Sequence, residues 1–117
     1  MAAGGEAFPR AVRLRASADF RRLQREGLRL HVPHLVVRYR FTDRSGPRFG
    51  LVVSRKVGNA VVRNRVKRWL REALRREKAG LPGVDVSVIA RSSAPRASAA
   101  ELRQSVAEAL RRIREAR

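Results

Sequence analysis

A chain of 117 residues has room for one domain with a modest core, and too little for two. Apolar residues at 44% exclude a fully disordered chain, while 32% charged residues and only four Phe, one Tyr and one Trp predict a thin core. The net charge of +18, from 28 Lys+Arg against 10 Asp+Glu, makes a compact domain repel itself, so a polyanionic partner is expected, nucleic acid ahead of an acidic membrane surface.

Met1 to Arg15 is small, polar and basic and reads as a flexible N-terminal arm, extended near its end, ahead of a single α/β domain over residues 16–117. Ser17 is placed to cap a short helix, with Asp19 in its first turn, Phe20 and Leu23 on one face and Gly27 as its end. A further short strand is expected near Leu30 to His31. From Leu35 to Phe41 the pattern alternates: Leu35, Val37, Tyr39 and Phe41 point one way, Val36, Arg38 and Arg40 the other, as in a half-buried strand. The cluster Asp43-Arg44-Ser45-Gly46-Pro47 predicts a turn, and hence a hairpin with a second strand over Arg48 to Arg55. There Phe49, Leu51 and Val53 share one face, and Gly50 and Ser54 leave room on the other.

Gly58-Asn59 breaks this strand, with Asn59 as N-cap of a helix from Ala60 to about Lys78. Val62, Val66, Trp69, Leu70 and Ala73 fall on one apolar stripe, and Arg63, Asn64, Lys67, Arg68, Arg71 and Arg75 on the remaining surface. Gly80-Leu81-Pro82-Gly83 stops the helix, and Val84 to Arg91 is a third strand reached by a crossover. Ser98 and Glu101 form a capping box for a last helix carrying Leu102, Val106, Ala109, Leu110 and Ile113. The order helix, strand, strand, helix, strand, helix implies an α+β fold, a two-layer sandwich of helices on a small mixed sheet.

The residues speak against a stand-alone catalyst. There is no Cys, so neither disulfides nor thiolate metal sites are available. His31 and His34 stand at i, i+3, which does not place both on one strand face, so edge histidines are the reading and not a metal site. Glu101, Glu108 and Glu115 recur at i, i+7 as a solvated stripe, and no Ser lies in a His–Asp setting. No apolar run reaches the roughly 18 residues of a membrane span, and Met1 to Arg10 lacks the apolar stretch of a signal peptide, so a cytoplasmic location is expected and no membrane partner.

The chemistry sits in Arg63-Asn64-Arg65-Val66-Lys67-Arg68, with Arg71 one turn later. Arg63, Lys67 and Arg71 rise along one line at about 6 Å per step, close to the spacing of phosphates on an RNA strand. Such contacts give affinity and register rather than sequence readout. A solvated helix face is the plainer meaning of a charge run, but only Glu72 and Glu77 offset this one. All basic residues except Lys56, Lys67 and Lys78 are arginine, whose planar fork grips phosphate and stacks on bases; a coding bias towards Arg is the plainer explanation. Arg55 and Lys56, beside the free amides of a helix N-terminus, make a candidate phosphate site.

The run from Phe49-Gly50-Leu51-Val52-Val53-Ser54-Arg55-Lys56-Val57-Gly58-Asn59 through Ala60-Val61-Val62-Arg63-Asn64-Arg65-Val66-Lys67-Arg68 resembles the bacterial ribonuclease P protein family, with Arg63-Asn64-Arg65 as its signature. The likeness extends more loosely to Asp19-Phe20 with Gly27, to Asp85 through Arg91 and to the last helix. It implies a left-handed crossover around the central helix, shared with a domain of a small-subunit ribosomal protein, against the usual handedness. It also implies that catalysis belongs to an RNA subunit with Mg2+ at its active site, and that no small molecule is the substrate. The partners it implies are that catalytic RNA, bound by Arg63, Asn64, Arg65, Lys67, Arg68 and Arg71, and the 5′ leader of precursor tRNA. The leader would lie in a cleft of Phe20, Val36, Arg38, Ser54, Arg55, Lys56 and Arg91. Gln24 stands where many members carry a second aromatic, Arg38 where many carry Tyr or Phe, and Arg55 where Lys is common; charge is expected to do more of the gripping here than stacking. A ribosomal or general RNA-binding protein of the same fold is the alternative. A helix-turn-helix DNA binder lacks the neighbouring helix that motif needs, and a membrane-active helix would need the apolar stripe that the core uses.

Overall fold

The computed structural model describes Leu14 and residues 17–116. Along the chain run α1 (Ser17–Glu26), β1 (Leu28–Val32), β2 (Leu35–Phe41), β3 (Arg48–Val52), α2 (Ala60–Glu77), β4 (Val84–Ala90), a 3-10 turn (Ala94–Arg96) and α3 (Ala99–Ala116). The short strand expected near Leu30 is β1, and it forms a hairpin with β2 in the register Leu30↔Val37. His34 makes the hairpin's tight turn with φ +69°, and its Nδ1 lies 2.8 Å from the Ser93 hydroxyl.

The hairpin expected between β2 and β3 does not form. The sheet order is β1-β2-β4-β3, with β4 antiparallel to β2 and parallel to β3. The cause is β4, in which every residue but Ile89 is buried. A strand covered on both faces belongs in the interior of the sheet, with both its edges paired. The turn cluster therefore bridges over β4 rather than reversing tightly. It is stitched there by the Thr42 amide donating to the Gly83 carbonyl at 2.9 Å.

Strand alternation sorts the two faces. Leu35, Val37, Tyr39, Phe49, Val86 and Val88 join Val66, Leu70 and Leu74 of α2 and Leu102, Val106, Leu110 and Ile113 of α3 in one core. On the opposite face the strands align in rows: His31–Val36–Ile89–Val52, Arg29–Arg38–Ser87–Gly50 and Arg40–Asp85–Arg48. Helix α1 lies across this face, with Leu23 buried. Ser17 is its first helical residue rather than the residue before it, and the Gly27 amide closes its end on the Leu23 carbonyl at 2.9 Å. The arm over residues 1–15 lies outside the described residues except for Leu14, which is buried and donates its amide to the Phe49 carbonyl at 2.8 Å.

One ion-pair cluster ties these parts together. Asp85, only 4% exposed, takes both oxygens to Arg48: Nε to Oδ1 and Nη2 to Oδ2, each at 3.0 Å. Arg48 Nη2 also meets Asp19 of α1 at 3.4 Å, and Arg44 reaches Asp85 at 3.4 Å. The grip of Asp85 raises the Arg48 pKa above its ordinary value, against the opposing effect of burial.

Two stability outcomes follow from these contacts. Asp85→Ala leaves the largely buried Arg48 guanidinium with Asp19 as its one remaining ion-pair partner and should cost about 3 kcal/mol in urea unfolding, while Arg48→Met with Asp85→Leu together should cost less. Ser98 accepts from the Glu101 amide at 3.1 Å while the Glu101 carboxylate accepts from the Ser98 amide at 2.8 Å. Ser98→Ala should therefore cost about 1 kcal/mol in the same assay.

Candidate nucleic-acid interface

The capping expected for α2 is present. The Asn59 side chain accepts from the Val62 amide at 3.0 Å, and its carbonyl from the Arg63 amide at 2.9 Å. Gly58 precedes it at φ +155°, and a Cβ there would meet Val62 Cγ1 at 2.9 Å, so the sharp entrance into the helix requires glycine. Val66, Leu70, Ala73 and Leu74 then form the buried stripe.

At about 100° per residue, the exposed arc of α2 centres on Asn64. Arg63, Lys67 and Arg71 lie on one flank; Arg68 and then Arg65 lie on the other. Among the described residues no carboxylate pairs with any of these five cations; the ion pairs all lie elsewhere. Arg63 turns back, its Nε donating to the Gly58 carbonyl at 3.2 Å. Arg65 lies over the Trp69 ring, 5.4 Å from its centroid, with Nε buried and without a partner. Trp69, expected in the core, is only partly buried: its place at the margin of the stripe makes it a platform for the guanidinium as well as a core neighbour. Val61, 75% exposed, stands on the same arc, an apolar residue on a cationic face that the sequence reading passed over.

The cleft lies between α1 and the sheet, with a volume of about 360 Å³. Phe20 and Arg38 line it as expected, joined by Arg21, Gln24, Val52 and Ile89. Gly50 makes the close approach possible, because a methyl there would overlap the Phe20 ring, 2.6 Å from its Cε1. Val36 is not in the lining but pairs with Ile89, which is. Strand alternation already puts Val52 on the face of Gly50 and Ser54, but no local pattern reveals that β3 pairs with β4, which sets Val52 beside Ile89 in the cleft. With no second aromatic at Gln24 and a cation at Arg38, the walls are one ring, aliphatic carbon and charge.

Ser54, Arg55 and Lys56 are exposed just beyond β3, after the buried Val53, and Arg91 is exposed directly after β4. Because β3 and β4 run parallel, these four residues stand at one end of the sheet, beyond the Val52↔Ile89 pair. The N-terminus of α2 opens at the same end. At the candidate phosphate site the Gly58 amide already donates to the Arg55 carbonyl at 3.2 Å and the Val62 amide to Asn59, so fewer amides remain for an anion than the sequence suggested.

Glu72 is exposed on α2 one turn beyond Arg68, in no ion pair among the described residues, and the ion-paired acidic groups lie elsewhere. Glu26 pairs with Arg40, Glu108 with Arg112 and Glu115 with Arg111. A hollow of about 430 Å³ beside Arg22, Arg40 and Arg44 carries its own Asp19, Asp43 and Asp85. Among the described residues no three His, Asp or Glu side chains converge as a metal-ligand set. No helix among them is long and apolar enough to cross a membrane.

Comparison with known proteins identifies the family and the fold. A model of the Ribonuclease P family matches residues 8–114. The chain is 36% identical over 107 residues, 92% of each chain, to the ribonuclease P protein component of Geobacter sp. (strain M21). It is 44% identical over 87 residues, 74% of each chain, to that of Thermotoga maritima. Among solved structures, the RNase P protein of Staphylococcus aureus superposes with a TM-score of 0.80 at 32% identity, covering 89% of this chain and 95% of that one. That of Thermotoga maritima gives 0.79 at 38% identity, covering 86% and 96%. With the Arg63-Asn64-Arg65 helix, the four-stranded mixed sheet and these matches in agreement, the chain belongs to the ribonuclease P protein family, the protein components of a tRNA-processing ribonucleoprotein.

Proposed function

We propose that α2 anchors the protein on the ribonuclease P RNA through Arg63, Asn64, Arg65, Lys67, Arg68 and Arg71, and that the cleft beneath α1 receives the single-stranded 5′ leader of precursor tRNA. The observation that carries this reading is the unpaired state of the five cations on the α2 arc. Held in place by a buried stripe and ion-paired with no carboxylate among the described residues, they are preorganised for phosphate. Phe20 and Arg38 grip the leader inside the cleft, with Val36 beside it, and Ser54, Arg55, Lys56 and Arg91 meet its phosphates at the open end. Catalysis belongs to the RNA and its Mg2+, and the protein supplies no reacting group. Its cations lower the repulsion between two polyanions brought side by side, which raises substrate affinity and reduces the Mg2+ that the complex needs. Such a role places the protein in the cytoplasm, with newly made transcripts.

Arg65→Ala and Arg68→Ala should each weaken binding to the ribonuclease P RNA and reduce the slope of log K against log salt by about one counterion. Trp69 is the single tryptophan of the chain. Its emission should change when RNA draws Arg65 onto phosphate, and that change should vanish in Arg65→Ala. An unaltered slope in both variants would remove α2 from the interface. Cleavage of precursor tRNA by the RNA should be faster with protein than without it at low Mg2+ and converge at high Mg2+; equal rates at low Mg2+ would sink the screening role.

A further inference from the structure

The two surfaces described so far meet at the edge of β3. Phe20 of α1 reaches over Gly50 from one face of the sheet, and Lys67 and Arg71 of α2 come down from the other. Between them lies a cavity of about 180 Å³, lined by Leu14, Phe20, Phe49, Gly50, Leu51, Lys67 and Arg71. The floor is apolar: Phe49 and Leu14 are buried and Leu51 is half-buried. The rim is cationic, and neither Lys67 nor Arg71 pairs with a carboxylate among the described residues.

We propose that this cavity takes one unstacked ribonucleotide, its base against Phe20 and Leu51 and its flanking phosphates on Lys67 and Arg71. The inference rests on the RNA-binding reading above and names a separate subsite within it. Three features select this occupant. The volume falls below the roughly 300 Å³ at which pockets for drug-sized molecules begin, so it suits one base and not a longer stretch. An apolar floor under a cationic rim matches a flat hydrophobic base joined to charged phosphates, and matches neither a free anion nor an apolar peptide. The two cations stand at i, i+4 on α2, about 6 Å apart along the axis, so they bracket one nucleotide step. Stacking on such a wall tolerates any base, so the site selects for an extruded nucleotide rather than for a sequence.

Two RNAs can supply that nucleotide, the ribonuclease P RNA and the precursor-tRNA leader, and the test separates them. Each is bound to the full chain, irradiated with ultraviolet light, and the joined peptide is mapped by mass spectrometry. One of the two RNAs should crosslink within Phe49–Leu51, a segment of this cavity and not of the leader cleft, whose own wall is Val52, Ser87 and Ile89. Leu51→Phe, which fills the cavity from its wall, should weaken that same RNA about tenfold and leave the other within about twofold. Val52→Phe, which narrows only the cleft, should not weaken an RNA whose crosslink lies at Phe49–Leu51 unless it is the leader. Thermal melts establish that both variants fold, and the crosslink map of the unmutated chain needs neither variant. Crosslinks confined to Val52, Ser87 and Ile89, or a folded Leu51→Phe chain that binds both RNAs normally, would overturn the subsite while leaving RNA binding intact. Failure of the unmutated chain to bind either RNA would overturn the parent reading instead.

Discussion

The parallel pairing of β3 with β4 is the constraint on which the rest of this structure depends. It forces α2 to cross over the sheet, so the basic helix begins at the end where both strands finish. It aligns Val52 with Ile89, which together with Ser87 make the floor of the cleft. It also sets Arg48 against Asp85 in the sheet interior, where a lone carboxylate would be costly to bury. The bidentate contact meets that cost, and Asp19 extends it to α1. The helix that roofs the cleft is thus held by the same cluster that lets β4 lie inside the sheet.

Charge is distributed with equal consequence. A domain with +18 gains from neutralising its cations internally, and several carboxylates do so under α1 and along α3. None of them serves α2. Self-repulsion along that helix is a standing cost to the free protein, and contact with a polyanion relieves it. Arg65 shows the local form of this arrangement: the indole of Trp69 supports the guanidinium without neutralising it.

Much of this was legible in the sequence, and what escaped has physical reasons. The period of two from Leu35 to Phe41 and the helical stripe through Val66 and Leu70 are local patterns, and both elements stand where those patterns put them. The Ser98–Glu101 box and the Asn59 cap are equally local. Strand order is not. Turn residues at Asp43 to Pro47 say that the chain changes direction, but not that another strand will enter the gap. Asp85 reads the same in a sequence whether it faces water or a buried guanidinium. Phe20, Lys67 and Arg71 were assigned to two different RNA surfaces, and only the folded edge of β3 brings them to one cavity. The basic face itself was read from the charge run and from the family resemblance together, because a charge run alone commonly means a solvated helix.

The amide of Leu14 on the Phe49 carbonyl has a bearing on solution behaviour. Strand β3 is the outermost on its side, and a bare outer strand invites a foreign one to zip onto it. By seating one residue of its own leading segment there, the chain occupies an acceptor that a second molecule would otherwise use. Together with mutual repulsion between copies, this local blockade favours dispersed molecules over fibrils while the RNA is absent.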